Sequence, residues 1–164
     1  MTMVNNFPQC FELLLGNEGG YSNNSSDPGG ETMWGVTARV ARKWGYKGEM
    51  RALPKTTAME IAREEYWLPY HCDLFPAAIA FQLFDTVYNG GYPVKWLQSI
   101  ANTTAVGSGL ASALSVMNVW EVVAKFNALR LSYLASLKQP QFANGRMNRV
   151  SSNIIHGGSL KDAT

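Results

Sequence analysis

Four side chains within twenty residues have the types and spacing to do acid–base chemistry. They lie in the stretch LLLGNEGGYSNNSSDPGGETMWGVT. Glu18 follows an apolar run, and Asp27 comes nine residues later among turn-forming neighbours. Thr32 and Thr37 are hydroxyls close behind. The spacing predicts that Glu18 ends a helix. There the macrodipole and partial burial would both disfavour the ionised carboxylate and hold its proton toward neutral pH, as a general acid requires. Asp27, in polar surroundings, is expected to stay ionised. Two carboxylates in environments that separate their proton affinities suit glycosidic cleavage. One donates to the leaving oxygen, and the other activates water or stabilises the oxocarbenium ion. Thr32 and Thr37 compete for the role of positioning a water. The same residues also have a plain structural reading, with Glu18 at a solvated helix end and Asp27 building a turn before Pro28.

The elements that must hold these groups are mostly helical. Phe7, Phe11, Leu14 and Leu15 recur at helical spacing and mark an amphipathic first helix, with Gly19-Gly20 as its expected stop. Residues 21–36 are rich in turn makers and predict loops with a small β-hairpin. Thr37 can cap a second helix running through Trp44 to a stop at Gly45. A third helix opens at Pro54–Thr57, where Thr57 and Glu60 have capping-box spacing. Residues 76–88 read as a nearly apolar, buried helix, on which Asp85 needs a partner. Further helices are expected over 92–101, 118–137 and 144–155. The long one should bury Val119, Val122, Val123, Phe126, Leu129, Tyr133 and Leu137. The fold class is therefore mainly α: a helical bundle with a small loop and β-hairpin patch after the first helix.

Composition narrows the partners. The chain has 164 residues, 46% hydrophobic and 16% charged, below the ~25% charge of typical soluble domains and enough apolar matter for a real core. Residues 1–85 hold 7 Lys/Arg against 10 Asp/Glu, whereas residues 86–164 hold 7 against 2. A basic second half suits an anionic polymer, and without a Lys/Arg block a bacterial wall fits better than nucleic acid. Cys10 and Cys72 have no metal or framework spacing and read as two buried thiols. His71 and His156 lack ligand spacing, so no metal and no cofactor are expected. No uncharged run of ~18 apolar residues predicts membrane insertion, and the N-terminus does not read as a signal peptide.

The ordered pattern Glu18-Gly19-Gly20-Tyr21, Asp27-Pro28-Gly29-Gly30-x-Thr32, Gly35-Val36-Thr37 resembles the signature of glycoside hydrolase family 108, the phage-type lysozymes. The resemblance continues through EEYWLPYHCDLFPAAIAFQLFDTVYNGG, with its Tyr-Trp, Leu-Pro and Phe-Asp…Asn-x-Gly segments. FANGRMNRV is similar to the family's Phe-x-x-Gly-x-x-x-Arg-Val stretch. The resemblance implies a lysozyme-like α+β fold and a muramidase that cuts the β-1,4 bond between N-acetylmuramic acid and N-acetylglucosamine. Its catalytic glutamate maps onto Glu18, with Asp27 and Thr32 as partners and Thr37 as the competing hydroxyl. It divides the chain into a catalytic part over 1–91 and a helical part over 92–164, similar to a peptidoglycan-binding region and packed on the first. In that second part NTTAVGSGLAS stands where the family's Asp-Gly-x-x-Gly-Pro-x-Thr-like turn is expected.

Tyr21 and Trp34 are candidate sugar-stacking aromatics, and Asn89 is a candidate partner for an N-acetyl group, each with a packing or capping alternative. Tyr66 and Trp67 read as core. The function expected is that of a monomeric phage endolysin, made in the host cytoplasm and acting on the cell wall after release. The alternatives are a non-catalytic wall-binding protein and a lytic transglycosylase using Glu18 alone.

Overall fold

In the computed structural model, residues 5–16, 20–23 and 30–163 are described. Helix α1 (Phe7–Leu15) starts with Pro8 in its first turn, and it buries Phe7, Cys10, Phe11 and Leu14 on one face. It stops earlier than its glycine pair suggested. Gly16 takes φ +56°, and its N–H bonds back to the carbonyls of Glu12 and Leu13. A positive-φ glycine turns the chain out of the helix, a conformation that glycine adopts at little cost. The helix thus ends three residues ahead of Glu18, so the macrodipole argument for that carboxylate loses its basis.

The non-helical patch is a three-stranded antiparallel sheet rather than a lone hairpin. Strand β1 (Ser22–Asn23) pairs with β2 (Glu31–Met33), which pairs with β3 (Val36–Thr37). The β2–β3 turn is Trp34-Gly35, with φ of +52° and +75°. Positive φ at both central residues is the requirement of a type I′ hairpin turn, which usually takes Asn-Gly.

Thr37 then caps α2 (Ala38–Trp44), its Oγ1 accepting from the N–H of Val40 at 3.4 Å, and Gly45 closes the helix. Helix α3 (Lys55–Ala62) begins directly after Pro54 and has no side-chain cap. Thr57 falls inside its first turn, so the expected capping box does not form. Helix α4 (Ala77–Asn89) runs through the middle of the molecule, with every residue from Ala77 to Thr86 buried. Phe7, Trp67 and Phe84 meet edge-on around it, with centroids 5.3–5.8 Å apart. Such contacts add to the burial energy of large rings.

Helix α5 (Pro93–Ala101) lies where expected. Helix α6 (Gly107–Ser115) was not foreseen. Its glycines and serines hide a Leu110/Leu114 pair at i,i+4 that is buried. Helix α7 (Val119–Ser136) starts on an Asn118 side-chain cap, and α8 (Ala143–Ser152) runs on into a π-helical turn over Asn153–Gly157. The buried stripe of α7 is less apolar than its pattern suggested. Val122, Val123 and Phe126 are buried together with Asn127 and Arg130, while Val119, Leu129, Tyr133 and Leu137 are only half-buried.

The polar members of that stripe have matching partners on α4. The Asn127 amide donates to Gln82 at 3.1 Å, and Arg130 pairs with Asp85 at 2.7 Å. At the other end of α4, Asp162 accepts from the N–H of Ala77 at 2.8 Å and from the Asn6 amide at 2.9 Å. It supplies the cap that Pro76 cannot. Cys10 and Cys72 are free and fully buried. Burial, with the Asp162 carboxylate as a lesser cause, pushes the Cys10 thiol from 9.0 up to about 12, and burial pushes Cys72 the same way. The described residues include no helix long and apolar enough to cross a membrane.

Candidate active site

Among the predicted site residues, Glu18 and Asp27 lie outside the described residues. The remaining ones are distributed around the sheet. Thr32 stands opposite Ser22 on one side and Thr37 on the other. Directly opposed residues of an antiparallel sheet point to the same face. The register therefore lines up three hydroxyls, Ser22, Thr32 and Thr37, in one cross-strand row. Thr32 Oγ1 donates to the Gly30 carbonyl at 3.2 Å, whereas Thr37 Oγ1 is engaged as the α2 cap. Ser22 was not singled out from sequence, because only the pairing register brings it into this row.

Tyr21 is held at two points. Its hydroxyl donates to Glu31 Oε1 at 2.9 Å, and the Arg51 guanidinium sits 4.2 Å from its ring centroid. The contact with Arg51 covers one ring face with a cation. Trp34 donates its indole N–H to the Leu53 carbonyl at 2.9 Å. A bulky residue with positive φ is strained by roughly 1–2 kcal/mol, and such strain persists only where the surroundings over-determine it. Here the anchor is that indole bond, which fixes the turn between the two threonine-bearing strands. Asn89 directs its amide to the Asp85 carbonyl and, at 3.3 Å, to Asp85 Oδ1.

Under the hairpin turn lies Tyr88. A Cβ at Gly35 would stand 3.1 Å from the Tyr88 ring and 3.6 Å from Leu15, so the turn is seated directly on α4 and the end of α1. The Tyr88 hydroxyl is buried with no hydrogen-bond partner among the described residues. Its ring lies 4.5 Å from that of Tyr66. Burial raises the proton affinity of both phenols, so both stay protonated donors at neutral pH.

Beside the end of α1 opens a cleft of about 450 Å³. Leu13–Gly16 form one wall, and Gly145, Asn148, Arg149 and Ser152 of α8 form the other, with Asn153 at its base. Asp85 fixes the α8 wall from below. This fully buried carboxylate accepts from Arg130 and Asn153 on Oδ2, each at 2.7 Å, and from Arg149 on Oδ1 at 2.8 Å. Sequence reasoning asked for an Asp85 partner but could not supply these, which come from 45 to 68 residues away. The only hint was that Arg149 sits in the FANGRMNRV segment.

Residues 11–91 match the family described as glycosyl hydrolase 108. This part of the chain is a glycosyl hydrolase 108 domain. Solved structures similar to the hydrolase include that of SagA from Brucella abortus, at 29% identity and a TM-score of 0.79 over 92% of each chain. No curated protein sequence matches. The protein is a glycoside hydrolase with a mainly α, lysozyme-like fold, and its substrate class is peptidoglycan. The family match ends at residue 91, yet the hydrolase completes its cleft with Arg149 and its neighbours, well beyond that boundary.

Proposed function

We propose that the hydrolase is a muramidase that cleaves the β-1,4 bond between N-acetylmuramic acid and N-acetylglucosamine. Glu18 donates the proton to the leaving oxygen. Asp27 balances the developing positive charge or activates water, and Thr32 or Thr37 positions that water. Residues 1–91 form the catalytic part, and the basic 92–164 part bears on the wall polymer. The biological role proposed is that of a phage endolysin, made in the host cytoplasm and acting on the wall during lysis.

One observation carries this reading most. The polar cleft opens at Gly16, two residues before Glu18 in sequence, next to a hairpin whose turn contacts Leu15. A polysaccharide strand needs an open, polar groove of this kind. The hydroxyl row at Ser22, Thr32 and Thr37 belongs to the same hairpin sheet.

Glu18→Gln keeps the shape and removes the proton. It is expected to slow the clearing of a peptidoglycan suspension by about 10²–10⁴-fold, the usual contribution of general acid catalysis. Clearing at the wild-type rate would remove Glu18 from the mechanism. Mass spectrometry of the wild-type products should show reducing muramic acid ends. Anhydro ends would identify a transglycosylase instead.

A further inference from the structure

We propose that Arg149 forms a subsite for a free carboxylate of the peptidoglycan stem peptide, so that the hydrolase selects wall strands by their acidic side chains as well as by their sugars. The inference rests on the muramidase reading and adds a determinant outside the matched family region.

The first argument is charge. Around Asp85 one carboxylate meets two guanidiniums. Arg130 is 3% exposed and is neutralised in place by Asp85. Arg149, with 41% of its side chain exposed, brings to the cleft a charge that is met, among the described residues, only by the Asp85 carboxylate it shares with Arg130. No acidic side chain is among the described residues that line this cleft. The second argument is donor geometry. Arginine offers five N–H groups. Arg149 uses Nη1 on Asp85, and its other donors have no partner among the described residues. Asp85 tethers the guanidinium through Nη1, and the remaining donors of its planar fork suit a planar anion such as carboxylate.

The third argument is space. Gly145, Asn148, Arg149 and Ser152 recur at i, i+3, i+4 and i+7, so they share one face of α8. Glycine is a poor helix former. At Gly145 packing gives no reason for it, since a Cβ there would meet nothing within 4 Å. What the missing side chain leaves open is the α8 wall of the cleft one turn before Arg149. Asn148 and Ser152 flank that opening with groups that can donate to the same anion.

The test compares native sacculi with sacculi whose carboxylates have been converted to neutral amides by carbodiimide coupling. Wild type is expected to show a KM about tenfold lower on native than on amidated material. Arg149→Gln should erase that difference. Gly145→Leu leaves the Asp85 pair untouched and should raise KM on native sacculi while the melting temperature holds. Equal wild-type KM on both materials overturns the subsite. So does an Arg149→Gln variant slowed by the same factor on both, because that is the mark of a purely structural arginine. Co-sedimentation of the Glu18→Gln protein with each material reads the subsite without cleavage. Preferential pelleting with native sacculi supports it even if wild type cleaves neither and the muramidase reading fails, and equal pelleting overturns it.

Discussion

The hairpin sheet and the Asp85 junction are built by opposite strategies. In the sheet, side chains are tied by bonds that span 2, 10 and 19 residues: Thr32 to Gly30, Tyr21 to Glu31, and Trp34 to Leu53. At the junction, Asp85 gathers Arg130, Arg149 and Asn153 across 45, 64 and 68 residues. The first design sets three hydroxyls on a small, locally specified patch. The second locks one wall of the cleft. The difference teaches that damage to the sheet should cost turnover, and damage to the junction should cost stability.

The sharpest way to break that contrast is at Asp85. Asp85→Ala leaves the buried Arg130 charge without a partner and should cost about 3–5 kcal/mol of unfolding free energy in a urea titration. Glu18→Gln, which keeps the side chain's size and removes only its proton, should stay within about 0.5 kcal/mol of wild type in the same titration. Equal losses would dissolve the distinction.

Next in size is alkaline lability of the core shared by both regions. Cys10, Cys72, Tyr66 and Tyr88 all hold their protons more tightly when folded. For such groups the stabilisation is complete below the unfolded value and is lost as pH rises toward the folded one. For Cys10 the window runs from 9.0 to about 12. Within it each such group removes about 1.4 kcal/mol per pH unit. Urea midpoints measured from pH 8 to 11 should therefore fall, and Cys10→Ala should fall less steeply.

Within the sheet, Thr37→Ala deletes the α2 cap and should cost about 1 kcal/mol, while Thr32→Ala should cost less. Measuring kcat on both variants separates the water-positioning hydroxyl from its neighbour. The smallest effect is expected at the exposed Glu121–Lys125 pair on α7, where Lys125→Ala should change stability by about 0.5 kcal/mol or less.

Much of this was legible in the residues, and what was legible was local. Phe7 and Phe11 marked α1, Thr37 and Gly45 bounded α2, and the valines and Phe126 marked α7. The ordered motif through Thr37 led to the family. What escaped was set by tertiary context. Gly16 stops α1 before the more conspicuous glycine pair. Trp34 takes a backbone conformation normally left to Asn or Gly because a distant carbonyl holds its indole. Leu110 and Leu114 make a helix out of a glycine- and serine-rich run because a core awaits them. Asn127 and Arg130 interrupt an apolar stripe that looked simply hydrophobic, since Gln82 and Asp85 face them. For the site, sequence named Glu18, Asp27 and the two threonines. It could not name Ser22, Tyr88 or Arg149, whose relevance depends on register, on a buried neighbour, and on a pairing across 64 residues.

The Asp162 cap has a consequence for the order of synthesis. The first turn of α4 is closed by a residue 85 positions downstream, which also holds Asn6. A ribosome must release residue 162 before that turn is tied, and residue 149 before that arginine can reach Asp85. Products of translation interrupted before residue 149 would lack one wall of the cleft, so the cleft of this wall-cutting enzyme is completed only after α8 has emerged.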